Sequence, residues 1–267
     1  MRGIHPLEQT CSGSALSRYA RQAYTVVMIV LFTDFGWNGP YVGQMKAVLL
    51  THAPDQPIVD LMHDAPHFNP RAAAYLLASM VTAFPPGTVF LAVVDPGVGT
   101  DQRRPCVVQA DGRWFVGPDN GLFNRVVRQA VDCQAWHINW QPKRLSDSFH
   151  GRDYFAPIAA QLANDERPAM VETELVIAES AWPDELAEVI YLDDFGNAMT
   201  GLQGRVANTK AALRIGISRI NYARTFAEVP TGQPFWYVNS NGLIEIAINQ
   251  GSAARQFGLT IGTRINL

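Results

Sequence analysis

Cysteine is scarce in this chain: Cys11, Cys106 and Cys133 are the three in 267 residues. An odd number at wide spacing makes neither a disulfide framework nor a zinc knuckle, and it fits a reducing compartment, so a cytoplasmic protein is expected. Long apolar runs are also missing. None reaches the roughly 18–20 residues that cross a bilayer, so no membrane partner is expected. There is no excess of positive charge. The net charge of −3 leaves no broad footprint for nucleic acid. G-x-G-x-x-G, a Walker loop and a G-x-S-x-G elbow are all absent, which removes support for nicotinamide, P-loop nucleotide and serine-hydrolase chemistry. His63, Asp64, His67, His150 and Asp153 are metal-ligand types, but no pair has a diagnostic spacing such as H-E-x-x-H. Neither a metal site nor a resident cofactor is expected.

What is present is a chain 48% hydrophobic and 17% charged, enough for a sizeable core in one large domain or two smaller ones. Residues 1–24 are polar and weakly basic and read as a disordered extension. The apolar run that follows, with Arg18 and Arg21 ahead of it, faintly resembles a secretion signal. It leads into Thr33-Asp34-Phe35-Gly36 rather than a small-residue cleavage site, so it reads as a first buried strand, with Met28 a candidate start. From there strands alternate with helices, over 41–50, 69–84, 122–129 and 151–163. Asp111-Gly112 between two apolar runs signals a hairpin. This pattern predicts an α/β domain over 25–170 with a mixed, mostly parallel sheet covered on both faces. A glutamate-rich stretch over 171–186 reads as a linker. Short strands separated by turns over 187–267 predict a smaller all-β barrel or sandwich.

Ligands in parallel sheets bind beyond the carboxyl ends of strands. Asp34 and Asp95 each stand just past such an end. Asp95 opens Asp95-Pro96-Gly97-Val98-Gly99-Thr100, with Arg103 and Arg104 close behind. Proline stops the strand, and the glycines let backbone turn tightly against a ligand. A carboxylate with two guanidinium groups can hold a polar reactant. An Asx-type turn with two solvated arginines explains the same letters. Asp34 can accept from both hydroxyls of a ribose diol, or simply cap a helix. His150, in Ser148-Phe149-His150-Gly151-Arg152-Asp153, is either a base or orienting group or a histidine of a helix start. In Asp193-Asp194-Phe195-Gly196-Asn197 the Asn197 amide can read a purine edge, or the segment is a plain turn. Asn239-Ser240-Asn241-Gly242 is first of all a hairpin turn.

Six motifs in order carry a resemblance: L-F-T-D-F-G with Y-V-G-Q-M-K-A-V, V-D-P-G-V-G-T with R-R-P, V-G-P-D-N-G-L-F, F-H-G-R-D-Y-F-A-P, D-D-F-G-N-A-M-T, and N-S-N-G-L-I-E-I-A-I-N-Q-G-S-A-A. From about Met28 to Leu267 the chain resembles the S-adenosylmethionine (SAM) hydroxide adenosyltransferases, relatives of the fluorinating and chlorinating enzymes. The resemblance implies an α/β domain followed by a β-barrel. It implies a homotrimer with sites between one subunit's N-terminal domain and its neighbour's C-terminal domain. The implied reaction is SAM plus water giving adenosine and L-methionine. Its catalytic Asp–Arg–His set falls on Asp95, Arg103 and His150. One inserted residue at Asp101-Gln102 keeps Arg104 open as the arginine. Asp34 would hold the ribose hydroxyls and Phe68 would form an aromatic wall. Asp193 and Ser240 would hold the methionine portion, and Asn197 and Phe226 the adenine. Asn241 stands at a variable position. An uncharged residue replaces Asp95 in the halogenating relatives. A SAM-dependent halogenase, a non-catalytic adenosine or SAM binder and a metal-dependent phosphohydrolase are the alternatives.

Overall fold

The computed structural model describes residues 27–100, 104–174 and 182–266. The extension expected over 1–24, Arg103, and residues 175–181 of the expected linker lie outside the described residues. The N-terminal part runs β1 (Ile29–Thr33), α1 (Tyr41–His52), β2 (Ile58–Met62), α2 (Pro70–Met80), β3 (Val89–Val93), β4 (Pro105–Ala110), β5 (Arg113–Pro118), α3 (Asn124–Gln129), β6 (Cys133–Ile138), α4 (Ala156–Ala163) and β7 (Met170–Glu172). Its seven strands form one sheet in the order β2-β1-β3-β5-β4-β6-β7. The three pairings among β2, β1, β3 and β5 are parallel, and the three from β5 through β4 and β6 to β7 are antiparallel. The sheet is therefore evenly mixed rather than mostly parallel. Asp111 and Gly112 both take positive φ (46° and 74°), as a tight hairpin turn requires, and the reversal they impose sets β4 against β5.

Side-chain alternation sends β1 into two cores. Val30 and Phe32 face a cluster with Leu76 and Leu77 of α2, while Ile29 and Leu31 face one with Met45 and Leu49 of α1 and Ile158 of α4. Phe90 and Phe115 stack across the first core with ring centroids 4.9 Å apart. Gly117 is required by close approach: a Cβ there would lie 2.2 Å from the Ala92 carbonyl oxygen. Before α4 the chain makes one wide π-helical turn over Gly151–Phe155. Pro157 has no N–H to continue the ordinary ladder at this point, which suits the widened turn.

The C-terminal part is antiparallel. β8 (Leu186–Leu192), β9 (Ala198–Gln203), β12 (Pro234–Val238) and β13 (Leu243–Ile248) form a sheet ordered β12-β13-β9-β8, and β10 (Leu213–Ile215) pairs with β11 (Ser218–Ile220). α5 (Ala253–Phe257) follows β13. No closed sheet joins these strands among the described residues; isolated bridges link Glu188 to Arg264, Arg214 to Asn266 and Tyr222 to Trp236. The two parts share a core, since Leu186, Ile190 and Leu243 join the cluster under α2. An Arg71–Glu188 ion pair (3.2 Å) and the Tyr191 hydroxyl donating to Asp64 (2.7 Å) lie alongside it.

Candidate functional site

β1 and β3 are parallel neighbours with Thr33 opposite Val93, so Asp34 and Asp95 leave the sheet side by side. Beyond them lies a cavity of about 390 Å³ lined by Asp34, Asp95, His150, Phe68, Ser148 and the aromatic trio Phe35, Tyr41 and Phe149. Phe35 and Tyr41 meet Phe149 edge-to-face at 5.8 and 5.3 Å. The Phe68 N–H donates to Asp34 Oδ2 (3.1 Å), and Phe68 itself is 78% exposed at φ 55°. Burial raises the Asp34 carboxyl above its ordinary value against the pull of that hydrogen bond, and the Asp95 charge adds to the rise. Two carboxylates and a histidine thus share the cavity with Phe35, Tyr41 and Phe149.

His150 is brought here by local packing. Gly99 sits at φ 75°, and a Cβ on it would lie 2.4 Å from the Asp147 carbonyl oxygen. The Asp95–Thr100 loop therefore rests directly on the segment leading to His150. Arg152 and Asp153 act inside that segment. Arg152 Nε donates to Asp153 Oδ1 (2.5 Å), its Nη1 reaches Gln44 (2.7 Å), and Asp153 accepts from the Ser146 N–H (2.9 Å). The Arg152 hydrogen bond holds the Asp153 carboxyl below its usual value. Arg104 is not brought to the cavity. It lines a separate hollow with His137, Asn139 and Glu172.

A second cavity, about 690 Å³, lies in the C-terminal part, with Asp193, Asn197, Phe226, Tyr237, Gln250 and Arg255 in its lining. Asp193 accepts from the Asn197 backbone N–H and side-chain amide, both at 2.8 Å, which closes the turn. Gly196 is obligatory there: φ is 80°, and a Cβ would lie 2.0 Å from Ser252 Oγ. Phe226 stands edge-on to Phe235 and Tyr237 at 4.9 and 5.5 Å, a surface suited to a flat ring. Ser240 lines neither cavity. It sits exposed on the turn between β12 and β13, and Asn241 lines a third hollow beside Tyr75 and Arg125. The two main cavities share no lining residue.

Glu245 has no place among the residues expected from sequence. It is 2% exposed, accepts from the Tyr237 hydroxyl (2.7 Å) and Asn239 amide (2.6 Å), and is raised by burial against those hydrogen bonds. Asn239 in turn accepts from the Asn241 and Leu243 N–H groups at 3.0 Å, which fixes the Ser240 turn. A lone glutamate in the apolar run Leu243–Ile248 was the available signal. No group of three or more His, Cys, Asp or Glu could hold a metal ion among the described residues, and no helix among them is long and apolar enough to cross a membrane.

An α/β part with two carboxylates and a histidine at strand ends, joined to an antiparallel part with an aromatic, amide-lined pocket, has the make-up of a small-molecule enzyme. Comparison narrows it. Residues 29–172 match the SAM hydroxide adenosyltransferase N-terminal domain and residues 187–266 the corresponding C-terminal domain, and the chain belongs to that family. It is 40% identical over 260 residues to a Thermus thermophilus protein named (R)-S-adenosyl-L-methionine hydrolase, covering 90% of this chain and 98% of that one. A fluorinase from Actinopolyspora mzabensis is 25% identical, over 92% and 98%. A solved structure of a conserved protein from Thermotoga maritima superposes with a TM-score of 0.80 at 31% identity, covering 89% of this chain and 98% of that one.

Proposed function

We propose that this protein hydrolyses SAM to adenosine and L-methionine by attack of water on the ribose 5′ carbon. The observation that carries the proposal is the meeting of Asp34, Asp95 and His150, from three separate stretches of chain, in one cavity at the ends of β1 and β3. The bond from the 5′ carbon to sulfur breaks, its electron pair goes to sulfur, and a bond to the water oxygen forms. The leaving group departs as a neutral thioether, so no general acid is required. The task is positioning, which is worth several kcal/mol. Asp95 and His150 accept the hydrogens of the water and aim its lone pair; the proton released passes to one of them. Arg103 supplies positive charge that favours hydroxide character in the water. The placement of Arg104 in another hollow favours Arg103 for this role. Asp34 holds the ribose hydroxyls, Phe68 forms a wall, Asp193 and Ser240 hold the methionine portion, and Asn197 and Phe226 hold adenine. SAM is the substrate, and no cofactor enters these steps.

The separation of these residues into two cavities supports a homotrimer in which the N-terminal cavity of one subunit faces the C-terminal cavity of its neighbour. Isolated bridges from β8, β10 and β12 to Arg264, Asn266 and Tyr222 lend support to a barrel. The α/β domain expected over 25–170 is carried to Glu172 by β7, which completes its sheet, and the C-terminal domain expected from 187 begins with β8 at Leu186. Among the described residues Cys106 and Cys133 are free thiols, which supports a cytoplasmic enzyme. Halide is a poor nucleophile here: two like charges roughly 4 Å apart repel by ~4 kcal/mol at a protein surface, and Asp95 would face it. Incubation of the purified protein with SAM is expected to release adenosine, read by chromatography. Intact SAM in the presence of folded protein would overturn the proposal, and 5′-chloro-adenosine in chloride buffer would assign the halogenase reaction instead.

A further inference from the structure

His63 does not line the cavity, yet both of its ring nitrogens are engaged. Its side chain is fully buried. Nδ1 lies 2.8 Å from Thr33 Oγ1 and Nε2 lies 3.1 Å from Asp60 Oδ1, while Lys46 Nζ donates to Asp60 Oδ2 at 2.8 Å. The Thr33 hydroxyl has one proton and two lone pairs, so it can give that proton to Nδ1 while accepting from the Phe35 N–H at 3.4 Å. Asp60 offers only acceptors, so Nε2 carries the hydrogen. Although desolvation works against it, the hydrogen bonds from Lys46 and His63 hold the Asp60 carboxyl below its ordinary value. A neutral Nε2–H imidazole satisfies the whole chain Lys46–Asp60–His63–Thr33; the other tautomer would set Nε2 lone pair against carboxylate.

The same residue joins both loops that flank the cavity. The His63 carbonyl accepts from the Gly36 N–H (2.6 Å), and the Ala65 N–H donates to the Thr33 carbonyl (3.1 Å). Trp37 packs edge-on to the imidazole at 4.7 Å. One loop carries Asp34 and Phe35; the other leads to Phe68, whose N–H meets the Asp34 carboxylate.

We infer that His63 is a positioning residue: clamped between Thr33 and Asp60, it fixes the Thr33–Gly36 turn against the His63–Phe68 loop and so aims the Asp34 carboxylate at the substrate. This rests on the reading that Asp34 holds the ribose hydroxyls. It assigns His63 to binding rather than to the reacting atoms, so its loss falls on KM. The test compares wild type with His63→Phe, His63→Asn and Thr33→Val. Adenosine release gives kcat and KM, and titration calorimetry gives adenosine affinity. His63→Phe removes both hydrogen bonds. It is expected to raise KM and weaken adenosine binding by roughly 5- to 150-fold, the range set by orphaning a buried polar partner. Its kcat is expected to stay within about threefold, since no group at the reacting carbon is touched. His63→Asn, whose side-chain oxygen can take the Nδ1 place, is expected to recover most of the affinity. Thr33→Val removes a single hydroxyl with little change of shape, and the same rise in KM is expected of it should His63→Phe not fold. Nitrogen-15 spectra of the wild type, with the His63 signals identified by their loss in His63→Asn, are expected to show the Nε2–H tautomer. Unchanged KM in a folded His63→Phe or Thr33→Val, or a loss confined to kcat, would overturn the inference. So would no recovery in His63→Asn, or an Nδ1–H or doubly protonated ring. Absence of turnover in wild type would instead count against the hydrolase reading, while calorimetry and the nitrogen spectra would still decide the role of His63.

Discussion

Asp34 and Asp95 are neighbouring carboxylates to which the proposed reaction gives separable duties. Asp95→Ala is expected to lower turnover by roughly 100-fold, the usual reach of a group that handles a reacting proton, while calorimetric adenosine affinity changes little. Asp34 has the opposite signature. Its carboxyl is raised above 3.8 by desolvation, with Asp95 adding to the rise, so the charged form is costly in the folded state. The folded protein holds that proton more tightly than the unfolded chain does. Its contribution to stability is therefore fully present below the unfolded value and is lost as pH rises through the folded one. Asp34→Asn is expected to leave thermal stability at neutral pH equal or slightly higher. It should weaken adenosine binding, because an amide offers one acceptor where the carboxylate offers two. In wild type, adenosine affinity should fall on acidification at a pH above the ordinary aspartate range. A calorimetric series in pH on both proteins checks the pair of statements.

Two glycines give predictions for single elements. Gly99→Ala would force a Cβ against the Asp147 carbonyl at positive φ. It is expected to push the Asp95 loop off the His150 segment and cut kcat, with a stability loss of about 1–3 kcal/mol. Gly196→Ala would do the same to the Asp193–Asn197 turn against Ser252, and its effect should appear in adenosine affinity. Thermal melts with steady-state kinetics separate the two. These positions also show how far local sequence carried. Asp111-Gly112 named its hairpin because only such residues take two successive positive φ angles at low cost. The buried strands β1 and β3 were legible as short apolar runs bounded by turn residues, and the two carboxylates at their ends followed. β7 and β11 went unseen as three-residue strands whose exposed residues carry no alternation of their own. The even mix of parallel and antiparallel pairs follows from β6 and β7 adding to the reversed β4, a choice made by tertiary packing. Glu245 went unread, and His63 was read only as a metal-ligand type, because their hydrogen bonds, to Asn239 and Tyr237 or to Thr33 and Asp60, exist only in the folded state.

Across the whole molecule, seven of the residues expected around one substrate divide between two cavities with no common lining, while Ser240 lines neither. Family motifs spread along the chain gave these residues as a single set. The resemblance implied a site divided between neighbouring subunits; composition and periodicity alone had no means of showing that one chain holds these residues apart. If neighbouring copies complete each other, Asp95→Ala and Asn197→Ala chains, each weakly active alone, should recover activity when co-expressed and reassembled. An assembly with one third or fewer of its sites intact is still readable against two nearly silent parents. Light scattering of the wild type is expected to give three copies of the 29.4 kDa chain. Recovery without assembly, or a monomer with full activity, would remove the shared site. The most direct measurement of the chemistry is turnover of SAM in water enriched in oxygen-18, with the products resolved by mass spectrometry. Attack at the ribose 5′ carbon places the heavy oxygen in the 5′ hydroxyl of adenosine and leaves methionine unlabelled. Adenosine without the label, or SAM recovered whole from a folded enzyme, would contradict it.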